Sequence, residues 1–320
     1  MEQSEEPIGA HVVVVLAVAV AAISSAAVLV RGAGEVPAIT IAMWRTTAVG
    51  GGLLPFVLVP WILRAYRTGI QRPSPKDTGL TILSGACLAG HFVCWFAAIQ
   101  QTTIMRATVL VCTAPIWTGV LEWLLFSEKP TRRYWAGLAV ALAGVAWMSG
   151  SLGEGDWRGD TLAAMGGLLA AIYLLFGRSI RKRVSIQAYA CWVCVAAALW
   201  LWPAALVSDA KITGFSTTSW LMIAALAIGP QMLGHNGFNY ALKYITAASV
   251  SVLMLLEPAG ATLLAYLAFG EVPALSELSG AALAVLGVLA ATWKTKKPKP
   301  PQSNASGANV ETHPSPSAST

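Results

Sequence analysis

Charge is what this sequence has least of. Only 11% of its 320 residues are Asp, Glu, Lys or Arg, where an ordinary soluble domain carries about 25%. Apolar residues make up 56%. A chain with so few polar groups cannot cover a water-facing surface, so its solvent is lipid. Catalytic signatures are missing too. There is no G-x-S-x-G and no H-E-x-x-H, and two histidines in separate apolar runs do not make a metal or nucleophile constellation, so an intramembrane enzyme is not expected. The five cysteines, Cys87, Cys94, Cys112, Cys191 and Cys194, all lie inside apolar runs. Cys191 and Cys194 have the C-x-x-C spacing but neither a helix N-terminus nor water beside them, and a structural zinc needs four ligands. They read as packing residues, and no disulfide, metal or cofactor is expected. Nor does a nucleic-acid motif accompany the net charge of +6.

What is present is a succession of long apolar runs. Ten are read: Ile8–Val30, Pro37–Leu63, Thr78–Ile99, Ile104–Phe126, Tyr134–Gly150, Thr161–Gly177, Ile186–Val207, Trp220–Leu242, Thr246–Phe269 and Leu275–Trp293. Most approach the ~20 residues a helix needs to cross ~30 Å of hydrocarbon. Lipid offers the backbone no hydrogen bonds, so spans are helices or a closed barrel. Runs this long and apolar are not the ~10-residue alternating strands of a barrel. The first run follows Glu2, Glu5 and Glu6 rather than the cations of a signal peptide, and is kept as a span.

Ten spans put both termini on one side. Sixteen Lys and Arg then fall in one alternating set of connections, four (Arg31, Arg106, Arg158, Lys211) in the other, and Arg45 within the second run. Cations concentrate on the cytoplasmic side, so both termini are expected there, in a multi-pass protein of the cell (inner) membrane. Residues 1–7 form a short tail. Residues 298–320, rich in Pro, Ser, Asn and Gly, are expected to be a disordered one.

An internal repeat organises the rest. Thr103 and Thr246 lie 143 positions apart, as do Pro115 and Pro258, Phe126 and Phe269, Glu128 and Glu271, Gly137 and Gly280, and Gly144 and Gly287. Five helices per half is an odd number, so the second half (158–293) enters the membrane inverted relative to the first (8–150), a pattern of secondary transporters. The segments "TAPIWTGVLEWLLFSEKPTRRYWAGLAVALAGV" and "LEPAGATLLAYLAFGEVPALSELSGAALAVLGV" resemble the paired EamA repeats of the drug/metabolite transporter superfamily. That family has a Pro within the fourth helix, a Glu at its end and Gly-rich packing in the fifth, given twice. The resemblance covers roughly Ile8 to Trp293. It implies an all-α bundle of ten helices around a central cavity that opens alternately to either side, and a small-molecule substrate.

Candidate site residues are polar groups inside the spans, which tend to face the bundle interior. Gln231, His235 and Asn239 stand at i, i+4, i+8 on the eighth run, which Gly229, Pro230, Gly234 and Gly237 interrupt; they line the cavity or bond between helices. On the third run, Ser84, Cys87, His91 and Trp95 share a face. His91 lies 144 positions from His235, near the repeat spacing. Trp95 either stacks on a substrate or packs. Glu257 falls near mid-membrane and Arg45 ~12 Å below the outer boundary. The two either bind the ends of a zwitterion or pair structurally, and Glu257 is also a candidate proton carrier. Pro115 and Pro258 are read as kinks that free the carbonyls of Val111 and Met254, in a hinge or in simple packing. Glu128 and Glu271 are boundary residues that satisfy nearby donors, and Glu122 is expected to pair with Arg132 or Arg133. A small zwitterionic or amphiphilic metabolite fits best. Efflux of cationic toxic compounds and a channel-like facilitator are the alternatives. A monomer or weak homodimer is expected.

Overall fold

A computed structural model describes residues 9–68, 74–102, 104–148, 156–269 and 272–292. All regular structure among them is helical. In chain order the α-helices are α1 (Ala10–Ile23), α2 (Ala26–Gly32), α3 (Ala38–Thr68), α4 (Pro75–Gln101), α5 (Ile104–Val111), α6 (Ala114–Phe126), α7 (Arg132–Met148), α8 (Trp157–Arg181), α9 (Ile186–Val207), α10 (Thr217–Leu226), α11 (Asn236–Ala241), α12 (Ala247–Leu253), α13 (Glu257–Phe269) and α14 (Leu275–Thr292). Among the described residues, eight stretches are long and apolar enough to cross a membrane. The fold is that of a multi-pass membrane protein. Leu, Val, Ile and Trp side chains are exposed all around it, as lipid requires and water would forbid. Of the other two expected spans, Tyr134–Gly150 falls on α7, which is 17 residues long, and Trp220–Leu242 falls on a stretch that changes helix type midway.

Several expected spans are not single α-helices. The first is broken at Ser24–Ser25, whose hydroxyls donate to the carbonyls of Val20 and Ala22, both at 2.8 Å; such back-bonding competes with the helix ladder. The fourth turns at Cys112–Thr113, and Pro115 follows at the start of α6, where a proline sacrifices no helical hydrogen bond. The eighth, expected as one α-helix, is a π-helix over Ala227–His235, with Pro230 inside it. The ninth passes through a 3₁₀ turn at Met254–Leu256 before Pro258 enters α13. The Met254 carbonyl is not left free as expected: it accepts the Glu257 N–H in that turn. The Val111 carbonyl abuts Gly167, where a Cβ would sit 2.9 Å from it.

Four helix pairings frame the interior. α3 packs on α9, α8 on α4, α1 on the π-helix and α11, and α7 on α14. The last pair meets backbone to backbone. A Cβ on Gly137 would lie 2.6 Å from the Gly287 carbonyl, and one on Gly287 would lie 2.6 Å from that of Gly137. Gly144 and Gly280 meet reciprocally at the same 2.6 Å. Only glycine permits that approach, and the pairing of 137 with 287 and 144 with 280 makes the two helices antiparallel.

Candidate functional site

The interruptions of the first, fourth, eighth and ninth spans converge. Ile23 and Ala26, Val111, Cys112, Ala114 and Pro115, His235, and Met254, Leu255 and Glu257 line one cavity, together with His91 and Trp95 of α4. Its volume is about 40 Å³, room for a few waters and smaller than an amino acid. The polar groups in this apolar wall are few. Glu257, half-buried, has no hydrogen-bond partner for its carboxylate among the described residues. The indole Nε1 of Trp95 is buried without a partner. His91 Nδ1 is 2.9 Å from the Gly166 carbonyl, a bond in which Nδ1 carries the proton, leaving Nε2 as an acceptor. The His91 ring stacks parallel to that of Trp95 at 6.3 Å and lies 6.0 Å from that of His235.

Arg45, Gln231 and Asn239 stand behind that wall, fully buried. Arg45 Nε donates to Gln231 Oε1 at 3.0 Å, and Gln231 Nε2 donates to Cys194 Sγ at 3.6 Å. The guanidinium carbon lies 4.1 Å from the centroid of Phe92, and no ion pair joins Arg45 to Glu257. Asn239 Nδ2 donates to Tyr173 Oη, and the Asn239 carbonyl accepts from Arg181 Nε at 3.1 Å. Thus Gln231, His235 and Asn239 do share the inner side of their span, but only His235 touches the cavity.

A second charged group lies where α6, α8 and α12 meet. Arg178 donates to Glu122, and its Nη2 lies 2.7 Å from both carboxylate oxygens of Glu128. Glu122 also accepts the N–H groups of Ala247 at 3.0 Å and Ala248 at 3.1 Å, the first turn of α12. The expected pairing of Glu122 with Arg132 or Arg133 is therefore replaced. Arg178 is one residue beyond the expected end of its span, so it looked like an interface cation, yet it is 1% exposed. Glu271 lies outside the described residues. The sequence also gave no sign of Phe92 or Tyr173 as site neighbours, since apolar and aromatic side chains carry no marker of facing. Ser24–Ser25 was detectable in principle as a hydroxyl pair in an apolar run.

Comparison with known proteins agrees with this architecture. A solved crystal structure superimposes with a TM-score of 0.71 over 89% of this chain and 97% of the other, at 20% identity, which establishes a shared fold. An uncharacterized transporter of Archaeoglobus fulgidus is 28% identical over 71% of this chain and 78% of its own. The inner membrane transporter YedA of Escherichia coli K12 is 28% identical over 78% of this chain and 79% of its own. A protein of Streptantibioticus cattleyicolor named "Probable terminal-alkyne amino-acid exporter" is 24% identical over 80% and 88%. The profile of the EamA-like transporter family matches residues 10–150 and 157–293, nearly everything between the tails, and the chain belongs to that family of membrane transporters.

Proposed function

We propose that the chain is a secondary active transporter that exports a small amphiphilic or zwitterionic metabolite, of amino-acid type, by alternating access. The observation that carries this is Glu257: a carboxylate without a partner, facing a cavity where four interrupted spans meet. Unpaired ionisable groups within a membrane protein are costly and persist for function, and irregular backbone is tolerated at that depth only where it lines a cavity. Glu257 suits an ammonium group, and the Trp95 N–H suits an acceptor on the same solute. His91 and His235 at the same cavity support a second part for Glu257, taking up a proton as the solute leaves. The cavity is smaller than an amino acid, so loading requires its helices to part, which is what alternating access supplies.

In this reading ten helices cross the membrane as two inverted repeats, 8–150 and 158–293, between a short first tail and residues 298–320. The reciprocal glycine contacts support it. Adding 143 to one member of each pair and subtracting 143 from the other turns 137–287 into 280–144, so the contact set maps onto itself. A twofold axis in the membrane plane between α7 and α14 does this. The Lys and Arg imbalance supports cytoplasmic termini, and the named exporter from Streptantibioticus supports the solute class. His91, Trp95, His235 and Glu257 line the cavity that the solute is proposed to enter, with Arg45, Gln231 and Asn239 directly behind. Pro115 and Pro258 are proposed as the points about which their spans flex, and Glu128 and Glu271 as boundary residues.

Efflux of cationic compounds is kept as a second reading, because Arg45 is screened from the cavity while Glu257 and the Trp95 ring, a good cation wall, are not. Proteoliposome efflux of amino acids and of a lipophilic cation, with and without a proton gradient, tests both. Glu257→Gln is expected to abolish gradient-driven efflux while the protein inserts normally. Unaltered efflux removes Glu257 from the mechanism, and flux that never saturates points to a channel.

A further inference from the structure

We propose that Arg45 is the anchor for a carboxylate on the solute, kept covered by Phe92 until the solute arrives. This rests on the transport reading above and names the chemistry of the part of the solute that Glu257 cannot bind. Arg45 is 0% exposed. Gln231 fixes its Nε at 3.0 Å, while both terminal nitrogens, Nη1 and Nη2, are buried with no hydrogen-bond partner. Four N–H donors left unmade at this depth carry a heavy desolvation penalty. The rings of Phe92 at 4.1 Å and Phe96 at 5.8 Å offset part of it through their faces, and rings cannot replace hydrogen-bond acceptors.

The geometry says what is missing. With Nε engaged, the free edge of the guanidinium presents its two terminal nitrogens, the fork that a carboxylate meets with two oxygens. Lysine has no such fork. The path to that edge is short. Phe92 packs at 5.2 Å against each of His91 and His235, and both histidines line the cavity. Phe92 thus lies against the unsatisfied guanidinium on one side and, on the other, against the two histidines that line the cavity holding the Glu257 carboxyl. Moving Phe92 exposes the guanidinium and enlarges a space of about 40 Å³ that is too small for an amino acid as it stands. A solute with an ammonium near Glu257 and a carboxylate a few bonds away satisfies both. A plain amine satisfies only one and leaves Arg45 covered.

The test uses full-length protein in proteoliposomes loaded with an equimolar mixture of the apolar L-amino acids and their decarboxylated amines, with efflux read by mass spectrometry. Wild type is expected to release the amino acids in preference to the amines by at least about tenfold, the size of one charge-assisted hydrogen bond. Arg45→Gln is expected to collapse that ratio to near one while amine efflux persists. Phe92→Leu, which stays apolar but is smaller and removes the π-face, is expected to raise the ratio. Amine efflux equal to or above amino-acid efflux in wild type overturns the proposal and leaves transport standing, as does an unchanged ratio in Arg45→Gln. Absence of flux for both classes of solute overturns the transport reading and this proposal with it. Should Arg45→Gln fail to insert, Phe92→Leu decides: a ratio no higher than wild type overturns the assignment.

Discussion

Replacing Glu122 by Ala should destabilise the protein by about 3 kcal/mol, and the reason can be traced bond by bond. Glu122 and Arg178 have side chains 3% and 1% exposed. Removing one member of such a pair leaves the other charge buried, which costs about 3–5 kcal/mol. The lower end applies because Arg178 keeps Glu128, whose side chain is 36% exposed. Glu122 also accepts the Ala247 and Ala248 N–H groups, so the first turn of α12 loses its acceptor as well. At about 2 °C per kcal/mol for a chain of this size, the melting temperature of the detergent-purified protein should fall by roughly 6 °C. The double variant Glu122→Leu/Arg178→Met removes both charges together and should recover the part of that loss that comes from the unpaired charge, since a buried ion pair contributes little net stability over apolar residues of similar volume; the Ala247 and Ala248 N–H groups stay without their acceptor. The coupling from the cycle closed by the single variants Glu122→Leu and Arg178→Met should therefore be on the order of 2 kcal/mol. A melting temperature for Glu122→Ala within about 1 °C of wild type, or single-variant losses that simply add in the double variant, would show that this network does not tie α6 and α8 to α12.

Gly137→Ala should lower the melting temperature and the folded yield, because its Cβ would sit 2.4 Å from the Ala291 nitrogen, an overpacking of about 1–3 kcal/mol. Gly51→Ala, with open space around it, should leave the protein as stable or slightly more so, by about 0.5–1 kcal/mol; the pair of variants separates close packing from a general intolerance of alanine. Arg183→Ala breaks a solvent-exposed ion pair with Asp77 and should shift the melting temperature by no more than about 1 °C. Backbone amides of Ala227–His235 should exchange faster than those of α4 between Ser84 and Trp95, read by mass spectrometry on the protein in nanodiscs; equal protection would contradict a weakened π segment.

Hydropathy and spacing made much of the fold legible. Ile186–Val207 was read with the same limits that α9 has, because Ser185 caps its start through the Ala188 N–H and polar residues end it. Glu257 and His235 could be nominated from chemistry alone, as expensive groups in apolar runs. Direction could not. A helix that is apolar on every side has no moment to say which side faces the cavity, so Phe92 and Tyr173 were indistinguishable from lipid-facing aromatics. Helix type was hidden for a related reason. Gly229, Pro230 and Gly234 announce a weak stretch, but whether it becomes a kink, a 3₁₀ turn or a π-helix depends on what packs against it, here α1. Arg178 was misjudged because a cation at a span end ordinarily reaches water, and only the tertiary fold supplies Glu122 and Glu128 in water's place.

The two flanks of the cavity are built differently. Exchange of the halves, as proposed above, carries the pair formed by α1–α2 and the eighth span onto the pair formed by α8 and α4. In the first pair both members are irregular, with a break at Ser24–Ser25 and a π segment at Ala227–His235. In the second, α8 and α4 run unbroken for 25 and 27 residues. An irregular helix has backbone hydrogen bonds that can be re-formed in more than one way, whereas a regular one has to be broken to change shape. Gly237 and Gly234 let the irregular pair approach closely, their added Cβ atoms meeting Ala19 at 2.8 Å and Ile23 at 3.4 Å. His235 sits on this pliant flank and His91 on the stiff one, 6.0 Å apart across the cavity. Arg45 is tied to the pliant flank through Gln231 and covered from the stiff flank by Phe92. On the proposal that Phe92 covers Arg45, a displacement of the π segment relative to α4 changes how far the ring covers the guanidinium, which couples the shape of the backbone to the exposure of a buried positive charge.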